Sequence, residues 1–543
     1  MITLPESSFR KIADQIFTSL AQAFPIACAS DEFYYFPQIR ISDLSWQVWD
    51  DFSPEAVQET VMQLGGWETQ IASMNTLALG LNEQIELALL KKFVITLREQ
   101  LAEIRFWQWQ PSFYLMLANL GIAEAISSPD PGAKHERAVG LPSFLDRARK
   151  NLDDVPTLFR EIALNMVSDT QQYFASLQSN VPELQRSQEA LQRFADHLLT
   201  LPTRSDFALP SELLQRVVQY HLNSGLDLKE ANEALDLEIA EMQRVMDEEA
   251  RGLISNAQLD SDHTLWSLAI RSLPVPTLGT DGLLGLYRDA VNQLAQHCID
   301  KKLISSELIV DCPVNVAPVP SYLAAIRTAS SYSVTARHPA AGGTFYVNHA
   351  EVSGPENRER LLEYRMLAAH ETYPGHHLLD TFRWNLQQPI RRHIEQPIYY
   401  EGWACFAEKL MRLTGFFSQP GDRFLLAKRR LWRATRGKVD LALQLGEMNF
   451  DTASQFLIET GTSTQWATDS VRKYPLNPGY QLCYAIGLRR FIDLFDRFGQ
   501  SNLKSFVQTC LQQGEINFAD LETILRQQQF DRPMENPLEF AMR

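Results

Sequence analysis

Apolar residues recur at three- and four-residue steps along segment 82–110, LNEQIELALLKKFVITLREQLAEIRFWQW, with Glu and Lys between them. That period suits one face of an α-helix and not a strand, whose side chains alternate. Segments 180–201 and 226–254 repeat the pattern. The second, LDLKEANEALDLEIAEMQRVMDEEARGLI, is built from strong helix formers, and its acidic residues read as a solvated face. Turn residues punctuate the chain at Pro129-Asp130-Pro131-Gly132 and around Pro274–Gly282. A Pro-rich connector, Pro313 to Pro320, follows the apolar run Leu303–Val310. One strand signal comes after it, Gly342-Gly343-Thr344-Phe345-Tyr346-Val347-Asn348, with aromatic and β-branched residues behind a glycine pair. These patterns predict an all-α fold, mostly helical, with a small β element just before the most informative segment. The chain divides into an N-terminal helical region, 1–260, and a second region, 261–543, expected to bear the metal and the catalysis, with the boundary at Gly252–Asp262; the alternative reading is one continuous body.

Charge narrows the partners. The chain carries 50 Lys+Arg against 66 Asp+Glu, a formal net charge of −16, with the cations dispersed. Such a surface repels phosphate backbones and anionic lipid, so no nucleic-acid partner and no membrane partner is expected. No stretch reaches the roughly 18 apolar residues that a spanning helix needs. The start, MITLPESSFR, shows neither a basic cluster nor an apolar run of signal-peptide length. The six cysteines, Cys28, Cys298, Cys312, Cys405, Cys483 and Cys510, form no CxxC pair and read as reduced, buried thiols. The compartment expected from these features is the cytoplasm.

The chemistry concentrates in Leu361–Glu408, which contains LLEYRMLAAHETYPGHHLLDTF and PIYYEGWACFAEKL. His370-Glu371 closes an apolar helical run. In HExxH hydrolases two His four apart bind zinc and the Glu activates a water. Here position 374 is proline, so the motif fails as written. Pro374 has no N–H to give the His370 carbonyl, and its ring clashes with that carbonyl. The helix must therefore kink or bulge, with Gly375 supplying the freedom. In an unbroken helix His376 would point about 120° from His370, while His377 would return to its face roughly 10 Å along the axis. A dislocation at Pro374-Gly375 favours His376 as the second ligand, with His377 as the alternative. A third ligand is sought on a following helix, and Glu401, after Pro397, fits that place. Glu408, two turns on, suits an outer role orienting an imidazole. Cys405 is expected to pack, and Asp380 is a weaker outer candidate.

The stretches GGTFYVN (342–348), HETYPGHH (370–377), EGWACFAE (401–408) and YPLNPGYQLCYAIG (474–487) resemble, in order and spacing, the bacterial "domain of unknown function 885" family. That family is distantly similar to nearly all-helical HExxH zinc carboxypeptidases and oligopeptidases. The resemblance implies His370, His376 and Glu401 as metal ligands and Glu371 as general base. It also implies Tyr484 as a donor to a developing oxyanion, and a helical body around a substrate cleft. Leu379, Tyr480 and Ala485 depart from the Gln, Gln and Lys usual in the family, which bears on substrate handling. Many members carry export or lipoprotein signals.

The expected function is zinc-dependent hydrolysis, with one Zn²⁺ per chain, or Mn²⁺ or Co²⁺. The expected substrate is a small peptide or another amide. Alternatives are a helical peptide-binding protein with a structural metal and no catalysis, and a metal hydrolase of non-peptide amides or esters. The strand at Gly343–Asn348 offers an edge on which an extended peptide could pair. Tyr332 and Arg337 lie just upstream of it, and Arg489 or Arg490 is a candidate grip for a substrate carboxylate.

Overall fold

The computed structural model describes residues 8–39, 46–254, 264–320, 330–334, 342–348 and 355–530. The fold is predominantly α-helical. Helices α1 (Ser8–Ala23), α2 (Pro54–Ala72), α3 (Leu81–Glu99), α4 (Pro111–Ser127), α5 (Ala133–Asn151), α6 (Thr157–Leu177) and α7 (Leu184–Thr200) build the first part of the chain. Helix α8 (Leu228–Leu253), α9 (Gly282–Asp300), α10 (Pro355–Glu371), α11 (His376–Trp384), α12 (Pro397–Leu413), α13 (Asp422–Gln444) and α14 (Leu482–Leu494) follow. Helices α4 to α7 pack on one another around a core that includes Phe113, Leu117, Phe144, Phe159 and Phe194. A second core gathers Trp403, Phe406, Phe491 and Phe506. The boundary assigned to Gly252–Asp262 falls largely outside the described residues, and α8, just before it, packs along α13.

Segments 180–201 and 226–254 are helices α7 and α8. Segment 82–110 is not one helix. α3 runs into a π-turn over Gln100–Ile104, and Arg105 then takes a left-handed conformation, φ 53°. The chain resumes as a short helix over Phe106–Trp109, which buries Phe106, Trp107 and Trp109. The apolar period continues through the break because both pieces face the same core.

The connector Pro313–Pro320 is a strand for most of its length. β1 (Val314–Pro318) pairs parallel with β3 (Gly343–Val347), which pairs antiparallel with β2 (Ser331–Val334). The order β1-β3-β2 leaves Pro318 at the end of a flanking strand, where its missing N–H costs no ladder bond. The strand expected to offer an open edge is thus the central one. Gly343 leaves room for the Tyr332 ring there: a Cβ would stand 2.3 Å from the Tyr332 hydroxyl, so a larger residue would push that ring aside.

Two glycines bring the site helices together. A Cβ on Gly402 of α12 would lie 2.6 Å from the backbone of Gly487 on α14, and one on Gly487 would lie 2.1 Å from the Ile398 carbonyl. The two helices therefore cross in backbone contact. Glu401 and Tyr484 flank that crossing, one residue and one turn away respectively, and are carried to the same place.

Candidate metal centre

Helix α10 stops at Glu371, residues Thr372–Gly375 turn, and α11 starts at His376. Pro374 thus separates two helices instead of kinking one. A Cβ on Gly375 would sit 1.8 Å from the His370 carbonyl oxygen, so only glycine lets the chain fold back on the last turn of α10. Trp403 of α12 fixes the turn from below, its indole N–H donating to the Pro374 carbonyl at 2.9 Å. The first residue of α11 is thereby swung toward the last turn of α10.

His370 Nε2 and His376 Nε2 lie 3.7 and 3.5 Å from Glu401 Oε2, and the ligand atoms of the three residues all fall within 4.8 Å of one another. All three are buried. Two ligands about 2.1 Å from a tetrahedral ion are roughly 3.4 Å apart. The two carboxylate–imidazole spacings are close to that value and too long for strong hydrogen bonds. Glu401 Oε2 has no hydrogen-bond partner although it is buried, a costly condition for a carboxylate unless a cation is meant to lie beside it. The donor set and its orphaned oxygen fit a divalent cation.

Each ligand is held from behind. Tyr480 donates its hydroxyl to Glu401 Oε1 at 2.9 Å, which leaves Oε2 directed at the imidazoles. The His376 ring stacks on Tyr400, centroids 4.0 Å apart. His370 Nδ1 faces Glu408 Oε1 at 3.3 Å and Arg433 Nη2 at 3.2 Å. Glu408 in turn is gripped by Arg429 at 3.0 Å and Arg433 at 2.6 Å. Burial alone would raise the Glu408 carboxyl, but the two guanidiniums and His370 hold it well below the usual range. Burial likewise opposes ionisation of Glu401, and the two imidazoles overcome it and hold its pKa low. Both carboxylates are therefore charged at neutral pH.

His377 goes elsewhere. It is buried with Nε2 2.9 Å from the Cys312 carbonyl and Nδ1 3.3 Å from the Tyr332 hydroxyl, and burial lowers its pKa to about 4. It is neutral and ties α11 to the sheet. Of the two neighbouring histidines, the structure brings His376 to Glu401. Cys405 is buried beside His370 and is not one of the three converging donors. Asp380 pairs with Arg383 at 2.6 Å, and its other oxygen lies 3.4 Å from the hydroxyl of Tyr400, the ring that stacks on His376.

Glu371 adjoins the cluster in sequence and is buried, with Oε2 accepting the Tyr332 backbone N–H at 2.8 Å. That N–H belongs to β2, so the flanking strand, and not β3, addresses the site. No hydrogen bond engages Glu371 Oε1 among the described residues. The Tyr484 ring lies nearly parallel to His370, centroids 6.4 Å apart. Burial, and then the Glu401 charge, hold its phenol well above the usual range despite Arg436, so it keeps its proton. Arg337 lies outside the described residues. Arg489 pairs with Glu238 of α8 at 3.0 Å and Arg490 donates to the Ser224 carbonyl at 3.4 Å, which leaves neither as the expected grip on a substrate.

Sequence reasoning missed Arg429, Arg433, Tyr400 and the holding role of Tyr480. The Arg429–Arg433 spacing of one turn on a helical run was the available signal, since it puts both guanidiniums on one face.

Solved structures that share this fold include two described as lipoproteins. One is a "putative lipoprotein of unknown function" from Shewanella oneidensis, with TM-score 0.75 and 16% identity, covering 96% of this chain and 100% of the other. The second is a "putative lipoprotein" from Colwellia psychrerythraea, with TM-score 0.71 and 16% identity, covering 96% and 99%. No curated protein sequence matches the chain. The lipoprotein descriptions contradict the cytoplasmic expectation, because a lipoprotein is anchored to a membrane outside that compartment. The expectation leaned on cysteines that are indeed buried and form no disulfide, but core packing produces that state in any compartment. Among the described residues no helix is long and apolar enough to cross a membrane. Over residues 42–525 the sequence matches the model of one family, so the chain belongs to the bacterial proteins of unknown function designated DUF885.

Proposed function

We propose that this chain is a metal-dependent hydrolase of amide bonds in small peptides, with Zn²⁺ the cation best suited to two imidazoles and one carboxylate. The observation that carries the reading is the buried, orphaned Glu401 Oε2 facing His370 and His376, with a second carboxylate, Glu371, at the next position along α10. His370, His376 and Glu401 would hold the ion, which supplies Lewis acidity to a carbonyl and acidity to a water. Glu371, anchored through Oε2 and available at Oε1, takes a proton from the attacking water as the new C–O bond forms. The same carboxyl returns that proton to the nitrogen as the C–N bond breaks. Tyr484, kept protonated by burial and by Glu401, donates to the oxygen that gains negative charge.

A retained carboxylate with a free oxygen beside the donor set favours catalysis over a purely structural ion, which needs no adjacent base. Digestion of a defined mixture of short peptides tests the proposal. Cleavage is expected, with loss on treatment with 1,10-phenanthroline and recovery on one equivalent of Zn²⁺ per chain. Absence of cleavage, or cleavage indifferent to the chelator, would overturn it.

A further inference from the structure

Lys92 of α3 is a half-buried amine that the metal centre does not use. It lines a small cleft whose walls also carry Ile85, Leu89, Asn223, Gln396, Ile516 and Asp520. Among the described residues no carboxylate pairs with it, and Nζ donates to a neutral acceptor, Gln396 Oε1. The Gln396 carbonyl is turned that way because the amide nitrogen donates to the Glu395 carbonyl at 3.0 Å. Asp520 is engaged by Asn517, whose side-chain amide donates to it.

A cation against apolar walls with no counter-charge is held at a cost, and burial lowers the Lys92 pKa to about 7, with Cys483 of α14 opposing the shift by less. At pH 7 about half of this amine is unprotonated, against roughly one in 2,500 of the exposed lysines with pKa ~10.4. The unprotonated amine is the nucleophilic form. The cleft also suits the product of its acylation. An acyl group removes the charge and leaves one N–H, which keeps the bond to Gln396 Oε1. Asn223 has left-handed backbone, φ 64°, and among the described residues no hydrogen bond engages its side-chain amide. That amide stands in the same cleft as a donor for an acyl oxygen.

We propose that Lys92 is an acylation site, its Nζ taking a small acyl group from an activated donor, an acyl phosphate or a thioester, while Asn223 donates to the acyl oxygen. The Nζ lone pair attacks the acyl carbon and a C–N bond forms. The bond from that carbon to the leaving phosphate or thiolate breaks, the leaving group keeps the electron pair, and Nζ gives one proton to solvent. The small cleft limits the group to about acetyl size. No step involves the metal, so the proposal is independent of the hydrolase reading.

The test exposes the full chain at pH 7 to acetyl phosphate in one arm and to S-acetyl-N-acetylcysteamine in the other. Peptide mass spectrometry then gives the acetylation rate of each lysine. Lys92 is expected to react at least tenfold faster than the median of the other lysines with one donor or both, and the donor that reacts identifies the source. The preference should vanish in denaturing urea, because the fold creates it. Asn223→Ala should slow Lys92 several-fold and leave the other lysines unchanged. A Lys92 rate at or below the median with both donors, a preference that persists in urea, or an Asn223→Ala rate equal to the native one overturns the proposal. The comparison among lysines is made within the native chain, so it stands even where Asn223→Ala fails to fold.

Discussion

The Glu371→Gln protein is expected to lose peptide turnover by about 10²–10⁴-fold, the range for removing a positioned general base, while keeping its full complement of zinc. The two effects separate because Glu371 is not among the three converging donors. Glutamine has nearly the shape of glutamate, and its amide oxygen can still accept the Tyr332 N–H that Glu371 Oε2 accepts at 2.8 Å. The strand β2 and the end of α10 should stay in place. What is lost is the capacity of the free oxygen to take a proton. Steady-state rates on a cleaved peptide, set beside zinc content by atomic absorption, check both halves. Turnover near the native rate would remove Glu371 from the chemistry, and loss of zinc would make it a ligand.

Glu408→Ala is expected to destabilise the chain by about 3–5 kcal/mol, the usual cost of removing one side of a buried ion pair. Glu408 stands between Arg429, Arg433 and His370, all buried, and its deletion leaves two guanidiniums without the carboxylate they share. Among the described residues Arg429 alone of the two has a second carboxylate, Glu363 at 2.9 Å. Zinc affinity should fall by about 10–100-fold as well, because the imidazole of His370 loses the partner that orients it. Glu408→Gln keeps the volume and should cost less. The pKa of Glu408 is depressed in the folded chain, so its charge contributes fully above the unfolded value of about 4.3, and the contribution is lost as pH falls toward the folded value. Urea unfolding at pH 7, with and without Zn²⁺, measures these effects. A midpoint unchanged in Glu408→Ala would mean that the pair carries no net stability.

The parts of the site legible in the sequence are those whose chemistry forces a residue type. His370-Glu371 next to Pro374-Gly375 signals a broken helix and a displaced second imidazole, because proline cannot sit in the last helical turn without a consequence. The structure goes further, ending α10 altogether and starting α11 at the ligand. Glu401 was readable because a third donor must come from another helix, and Gly402 beside it marks the backbone crossing that carries it in. The supporting residues were not readable. Arg433 looks like any exposed helical arginine until α13 is laid against α10 and α12, and Arg489 looks equally suitable until α8 supplies Glu238. The sheet was misread for a local reason: Pro313–Pro320 has the composition of a linker, yet Pro318 at the end of a flanking strand breaks no pairing. Strand order depends on contacts far apart in the chain, which alternation along one segment does not encode.

The claim beneath all of this is that residues 370, 376 and 401 share one cation. Diffraction from crystals grown with Zn²⁺, with anomalous data at the zinc edge, tests it directly. The account predicts a single peak per chain about 2.1 Å from the Nε2 atoms of His370 and His376 and from a Glu401 carboxylate oxygen. A peak on other residues, or none at this place with zinc present, would contradict it.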